Sequence, residues 1–307
     1  MELMKRPGTV LWLFDVDGPL SDPTAKRIIE PVLLEELVAR LAQGEPIVLN
    51  TGRALPWVIE NILTPLRYVA LRSGHDPDEL LKNRFCIIGE KGGSRASYTA
   101  DGVLQLRCDP TLRLPLVVRL WVARLVEKEF SDTLIYDVSK DGMITVEKAD
   151  AVPLDAFPAI QQRFIDALTS FLTARSLEGT IRIDCTSIAV DLQHPLAGKA
   201  LGASRALQWA ARHGHAIAEA HCFGDSLSDI EMADECHRRG IRTAFHFVGD
   251  RKLADPSVLR NRPYPVTEST LPFGHGTMDI LAKDRASRGI ALPAPLAPGT
   301  AGGSTLA

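Results

Sequence analysis

The chain has 307 residues and a net charge of -3, and 45% of it is hydrophobic. This is enough apolar material for one large or two medium domains and too much for a disordered chain, and the slight acidic balance offers no basic surface for nucleic acid. The five cysteines form no CxxC pair, which argues against a disulfide framework or zinc ribbon and suits a reducing cytosol; no apolar stretch approaches the roughly 18 residues of a membrane span, and MELMKRPGTV runs straight into the first strand pattern, leaving no room for a signal peptide.

The first strand pattern covers residues 10–14. A helical pattern follows over 31–41, with Pro31 acceptable in a first turn. EPIVLNTGR is a second apolar strand, residues 55–71 read as a helix interrupted near Pro65, and FCIIGE is a third strand. Continuous apolar strands alternating with helices predict a parallel sheet covered on both faces. After about Glu90 the rhythm changes. Residues 113–130 and 155–174 read as helices, each followed by a close pair of strands: DTLIYDVS with GMITVEK, then TIRIDC with SIAVDL. Helix, strand, strand, repeated, predicts a separate α+β unit with an antiparallel sheet. The alternation resumes with GKALGASRALQWAARHG, AHCFGDS, LSDIEMADECHRRG and RTAFHFVG. The expected organisation is a Rossmann-like α/β core from residues 1–90 and 193–284, an inserted α+β domain at 91–192, and a disordered Pro/Gly/Ala-rich tail at 285–307.

Open parallel sheets bind ligands beyond the carboxyl ends of their strands. Four short segments fall at or near such ends: DVDG (15–18), TGR (51–53), GK (198–199) and GDSLSD (224–229). They bring together Asp15, Asp17, Asp225 and Asp229 with one ammonium, Lys199. Two carboxylates two residues apart repel unless something positive binds between them. With no histidine or cysteine at ligand spacing, that charge would be a hard cation such as Mg²⁺. Each segment alone also has an ordinary use: a strand-end turn for Asp15 and Asp17, a strand-to-helix cap for Thr51 and Gly52, a solvated helix face for Lys199, and caps for the helix after Ser226 from Asp225 and Asp229.

Their joint occurrence, in this order, resembles the four motifs of the haloacid dehalogenase superfamily. The insertion resembles its C2-type cap, most of all that of sucrose-phosphate phosphatases and phosphomannomutases. The resemblance implies a Mg²⁺-dependent phosphomonoester hydrolase working through an aspartyl-phosphate, located in the cytoplasm. Its substrate would be a small phosphorylated metabolite, a sugar or polyol phosphate by cap subclass, with no nucleic-acid or membrane partner. A phosphohexomutase of the same fold is the alternative, and a non-catalytic sugar-phosphate-binding member comes after it. The roles implied are nucleophile for Asp15, general acid and then base for Asp17, phosphoryl contact for Thr51 and charge balance for Lys199. Gly52 and Arg53 would touch phosphate. Asp15, Asp17 (through its main-chain carbonyl), Asp225 and Asp229 would form the metal site. Two positions depart from the family pattern: Pro19 follows the first-motif glycine, and Ser228 stands where the fourth motif often has asparagine. Proline lacks an N–H, and serine reaches less far than asparagine. Arg182, Asp184, Lys140 and Lys148 are the candidate cleft residues of the insertion, and His213 and His215 read as a helix C-terminus.

Overall fold

The computed structural model describes residues 9–250 and 256–292. The first part of the chain forms β1 (Thr9–Phe14), α1 (Pro31–Ala42), β2 (Ile47–Asn50), α2 (Leu55–Val58), α3 (Thr64–Arg72), α4 (Pro77–Leu81), β3 (Phe85–Gly89), β4 (Ser94–Tyr98) and β5 (Leu104–Cys108). The middle forms α5 (Leu116–Glu129), β6 (Leu134–Tyr136), β7 (Ile144–Lys148), α6 (Phe157–Thr173), β8 (Arg182–Cys185) and β9 (Ala189–Gln193). The last part forms α7 (Lys199–Arg212), β10 (Ile217–Gly224), α8 (Ile230–Arg238), β11 (Arg242–Phe247), α9 (Pro256–Arg260), β12 (Val266–Glu268) and α10 (Phe273–Ser287).

The strands build two sheets. The larger has the order β12-β11-β10-β1-β2-β3-β4-β5, parallel from β12 to β3 and antiparallel beyond. Alternation along β1 explains why it lies in the middle: Trp12 and Phe14 pack with α1, α3 and α10, while Leu11 and Leu13 pack with α7 and α8. The α/β layering expected from the sequence is therefore the fold of this chain. The smaller sheet, β6-β7-β9-β8, is antiparallel throughout. One face carries Ile144, Val146, Val190 and Leu192, packed against Val118 and Val122 of α5 and Phe164 and Leu168 of α6. Among the described residues no helix is long and apolar enough to cross a membrane.

Three expectations need correction. The insertion was expected to begin at residue 91, but β4 and β5 extend the larger sheet, so the smaller unit starts after Cys108. The helix expected to break near Pro65 runs on: a π-helical stretch, Ile59–Leu63, precedes α3. Its wider turn accommodates the missing proline N–H, and the Thr64 hydroxyl donates to the Ile59 carbonyl at 2.9 Å. The tail was expected from residue 285. In fact α10 continues to Ser287, Arg285 pairs with Glu36 at 2.8 Å, and Arg288 pairs with Glu45. The rest of that tail, from residue 293, lies outside the described residues.

Candidate active site

The four sequence segments converge at the carboxyl end of β1, between the ends of β2 and β10. Asp15 is the first residue beyond β1, and its N–H is held by the Phe223 carbonyl of β10 at 2.9 Å. The chain then turns tightly: the Val16 carbonyl accepts from the N–H groups of Leu20 and Ser21, and the Gly18 N–H donates to the Ser21 carbonyl. Pro19 fits inside this turn because the N–H groups of its neighbours close it. Gly18 has φ +86°, and a Cβ there would overlap the Asp225 carboxylate, so glycine serves both the turn and the close approach of the fourth segment.

Lys199 opens α7, buried among carboxylates. Its Nζ lies 2.7 Å from Asp15 Oδ1 and 2.7 Å from Asp229 Oδ1, and donates to the Asn50 carbonyl at 3.0 Å. The Asn50 side chain returns a hydrogen bond to the Lys199 carbonyl at 2.9 Å, locking the end of β2 to the start of α7. Asn50 is a site residue the sequence reading missed. Its signal was a polar side chain closing an otherwise apolar strand. Asp229 Oδ2 accepts from the Ser226 N–H and hydroxyl, so this carboxylate does serve as the helix cap that it resembled in the sequence, besides holding Lys199. Ser228 turns away to Ser226 Oγ, 2.8 Å off.

Burial raises the Asp15 carboxyl well above its ordinary value, against the pull of Lys199. Burial pushes Asp225 up to about 7, helped by Asp229. Lys199 is shifted upward: burial opposes its charge, but Asp15 and Asp229 outweigh burial. The carboxylates of Asp15, Asp225 and Asp229 have one oxygen each within 4.8 Å of one another. Three ionised carboxylates against one ammonium leave an excess of two negative charges. A divalent cation with oxygen ligands would neutralise that excess, so the donor set fits Mg²⁺. Both Asp229 oxygens are already engaged, whereas Asp225 accepts no hydrogen bond from another described residue. Asp15 and Asp225 are therefore the better-placed side-chain ligands.

Asp17 stands apart from this group. Its carboxylate is forked by Arg53, with Nε 2.9 Å from Oδ2 and Nη2 2.9 Å from Oδ1. The Arg53 guanidinium also lies over the Trp57 ring, 4.5 Å from its centre. Buried Thr51 accepts the Arg53 N–H on its hydroxyl at 3.1 Å, and Gly52 lies alongside the Lys91 side chain. The other face of the smaller sheet looks onto this end of the larger one. Lys91, just beyond β3, reaches Asp191 at 3.0 Å and Asp184 at 3.4 Å, and buried Glu90 accepts from the N–H groups of Gly142 and Met143. Both residues adopt left-handed backbone, φ +51° and +52°. The sequence reading treated them only as the place where the rhythm changed. Of the four candidates in the insertion, Lys140 and Asp184 join this polar layer through Thr145, Asp191 and Gln193. Arg182 ties Asp184 to the Ala197 carbonyl. Lys148 donates to the carbonyls of Ala149 and Val152 and takes no part. His213 follows α7 directly, as expected.

No protein-family model matches the chain, and no curated protein matches it in sequence. Solved structures do match in fold. The C-terminal domain of the C. albicans trehalose-6-phosphate phosphatase superposes with a TM-score of 0.61 at 13% identity, over 90% of this chain and 92% of that one. A haloacid dehalogenase-like hydrolase from Bacteroides thetaiotaomicron gives 0.58 at 16% identity, over 90% and 99%. ATP-bound IMP-nucleotidase from Plasmodium falciparum gives 0.56 at 13% identity, over 94% of this chain and 63% of that one. The fold of this chain is that of these structures.

Proposed function

We propose that this chain is a Mg²⁺-dependent phosphomonoester hydrolase that forms an aspartyl-phosphate on Asp15. The observation that carries the reading is the setting of Asp15: a buried carboxylate ending the central strand, one oxygen on the Lys199 ammonium at 2.7 Å, with Asp225 close by. Asp15 Oδ1 also accepts the Val16 N–H at 2.7 Å, which leaves Oδ2 as the attacking atom. That oxygen forms a bond to phosphorus as the ester P–O bond breaks. Once free of Arg53, Asp17 takes a proton from solvent and gives it to the leaving oxygen, then takes one from the water that hydrolyses the acyl phosphate and regenerates Asp15. Lys199 and the Thr51 hydroxyl offset charge on the transferring phosphoryl group. Asp15 and Asp225, with the main-chain carbonyl of Asp17, would hold Mg²⁺, which supplies the charge neutralisation that lets two anions meet. Arg53 is forked on Asp17 without substrate. A phosphate dianion is the better partner for that fork, so its arrival would draw Arg53 off and release Asp17 for proton transfer.

The smaller unit serves as a C2-type cap of the sucrose-phosphate phosphatase and phosphomannomutase kind, and its polar face selects a small sugar or polyol phosphate. The trehalose-6-phosphate phosphatases among the fold neighbours support a sugar phosphate. A screen of phosphorylated metabolites with Mg²⁺ tests the reading. The expected result is phosphate release from a sugar or polyol phosphate that stops in excess EDTA; undiminished release under chelation would contradict it.

A further inference from the structure

Away from the proposed catalytic centre, β4, β5 and α7 form an open pocket of about 250 Å³ lined by Arg95, Arg107, Arg205, Arg212, Cys108 and Asp109, among others. Four guanidiniums around one carboxylate is an unusual concentration of charge in a chain of net charge -3. Of the four, only Arg205 is ion-paired, to Asp109, and it also donates to the Gly92 carbonyl; Arg107 donates its Nε–H to the neutral Gln105 side chain at 3.0 Å. Among the described residues no carboxylate lies within ion-pair distance of Arg95, Arg107 or Arg212. Arg95 and Arg107 moreover sit directly opposite each other in the β4–β5 register. Like charges so placed repel and weaken the hairpin unless an anion lies between them.

We propose that this pocket is a binding site for a small multivalent phosphate-type anion, separate from the catalytic centre. Guanidinium forks match phosphate oxygens in pairs, and several forks on one cavity favour a ligand with more than one anionic group. The pocket is open to solvent on one side, and its volume of about 250 Å³ admits a diphosphate. Nothing in the catalytic scheme uses these arginines, so the site is independent of the proposed activity.

The test is calorimetric titration of the full chain with methylenediphosphonate, without divalent metal. Saturable binding is expected, with methylphosphonate weaker by about tenfold or more. Arg95→Ala with Arg107→Ala should weaken diphosphonate binding by about tenfold or more while phosphate release from p-nitrophenyl phosphate is retained. Lys199→Met should leave it unchanged, which separates this pocket from the catalytic centre. If the double variant proves unstable, Arg212→Glu, at an exposed position on α7, should weaken binding in its place. Absence of saturable binding, equal affinity for the two phosphonates, or full affinity in the arginine variants would overturn the proposal.

Discussion

Two polar regions face each other across the cleft, and they are built differently. At the end of the larger sheet, Asp15, Asn50, Thr51, Lys199 and Asp229 are all buried, and ion pairs or hydrogen bonds among these five, to Ser226 and to the adjacent backbone hold them. On the smaller sheet, Thr145, Asp191 and Gln193 are buried as well, but the charged groups around them, Lys140, Asp184 and Arg182, are partly hydrated and joined to them and to each other by exchangeable contacts. Buried charges in low dielectric cannot be rearranged piecemeal, whereas partly hydrated ones can. Under the proposed function, the first region is fitted to one fixed chemistry and the second to selection.

Breaking the buried region should cost most. Lys199→Met leaves three carboxylates without their ammonium; phosphate release should fall by about a thousandfold or more, and urea titration should show a loss of about 3–5 kcal/mol. Lys140→Met, in the hydrated region, should change kcat/KM by less than about tenfold. Similar losses in the two variants would erase the distinction between the regions.

Asp225 sharpens the comparison through pH. Its folded-state carboxyl titrates at about 7 against 3.8 for the ordinary group. The folded state thus holds this proton more tightly than the unfolded one, and its contribution to stability falls as pH rises from about 4 towards 7. Burial pushes His246 down to about 3 and lowers His221 too, and both act in the opposite sense over the same window. The Asp225 effect is therefore read as a difference: in EDTA the melting temperature of Asp225→Asn should gain on that of the unaltered chain as pH rises from about 4 to 7, and Mg²⁺ should stabilise the unaltered chain alone at the high end. A difference between the two that does not change with pH would contradict this assignment.

The joint between the regions should give a smaller effect. Glu90→Ala leaves the N–H groups of Gly142 and Met143 without their acceptor, which costs about 1–3 kcal/mol. Steady-state kinetics should show KM raised more than kcat is lowered, because the smaller unit loses its seat while the groups around Asp15 keep theirs. Smallest of all is the C-terminal helix. Ending the chain at Arg285 removes the Arg288 pair with Glu45, itself the acceptor of the Trp12 indole N–H. Differential scanning calorimetry should record a fall of about 2–4 °C, as a loss of about 1 kcal/mol implies.

The sequence made the carboxylate cluster legible because Asp15, Thr51 and Asp225 each directly follow an apolar run that reads as a buried strand, and because the four segments occur together although each alone has an ordinary structural use. It hid the rest for physical reasons. In β4 the buried side chains are Ser94, Ala96 and Tyr98, too small or polar to announce a strand. In α10, Gly274 and Gly276 lower helix propensity, yet both are buried in the first turn. Arg40 reads as a surface residue of α1. It is fully buried, held by Glu36, the Leu281 carbonyl and Asp284 and lying over Trp12, and the Leu281 and Asp284 contacts come from more than 240 positions away. Glu90 and Lys91 matter through their backbone conformation and the distant hairpin that they touch, and neither is written in local pattern.

The central claim is that Asp15 and Asp17 differ in kind, one attacking phosphorus and the other moving protons. Asp17→Asn incubated with an activated phosphate ester and Mg²⁺ isolates the first half of the reaction, because a good leaving group needs little protonation while the water still needs a base. Mass spectrometry should find one phosphoryl group, on Asp15, that persists as turnover stalls. A phosphoryl group on any other residue, or steady turnover by an Asp15→Asn variant, would contradict the account.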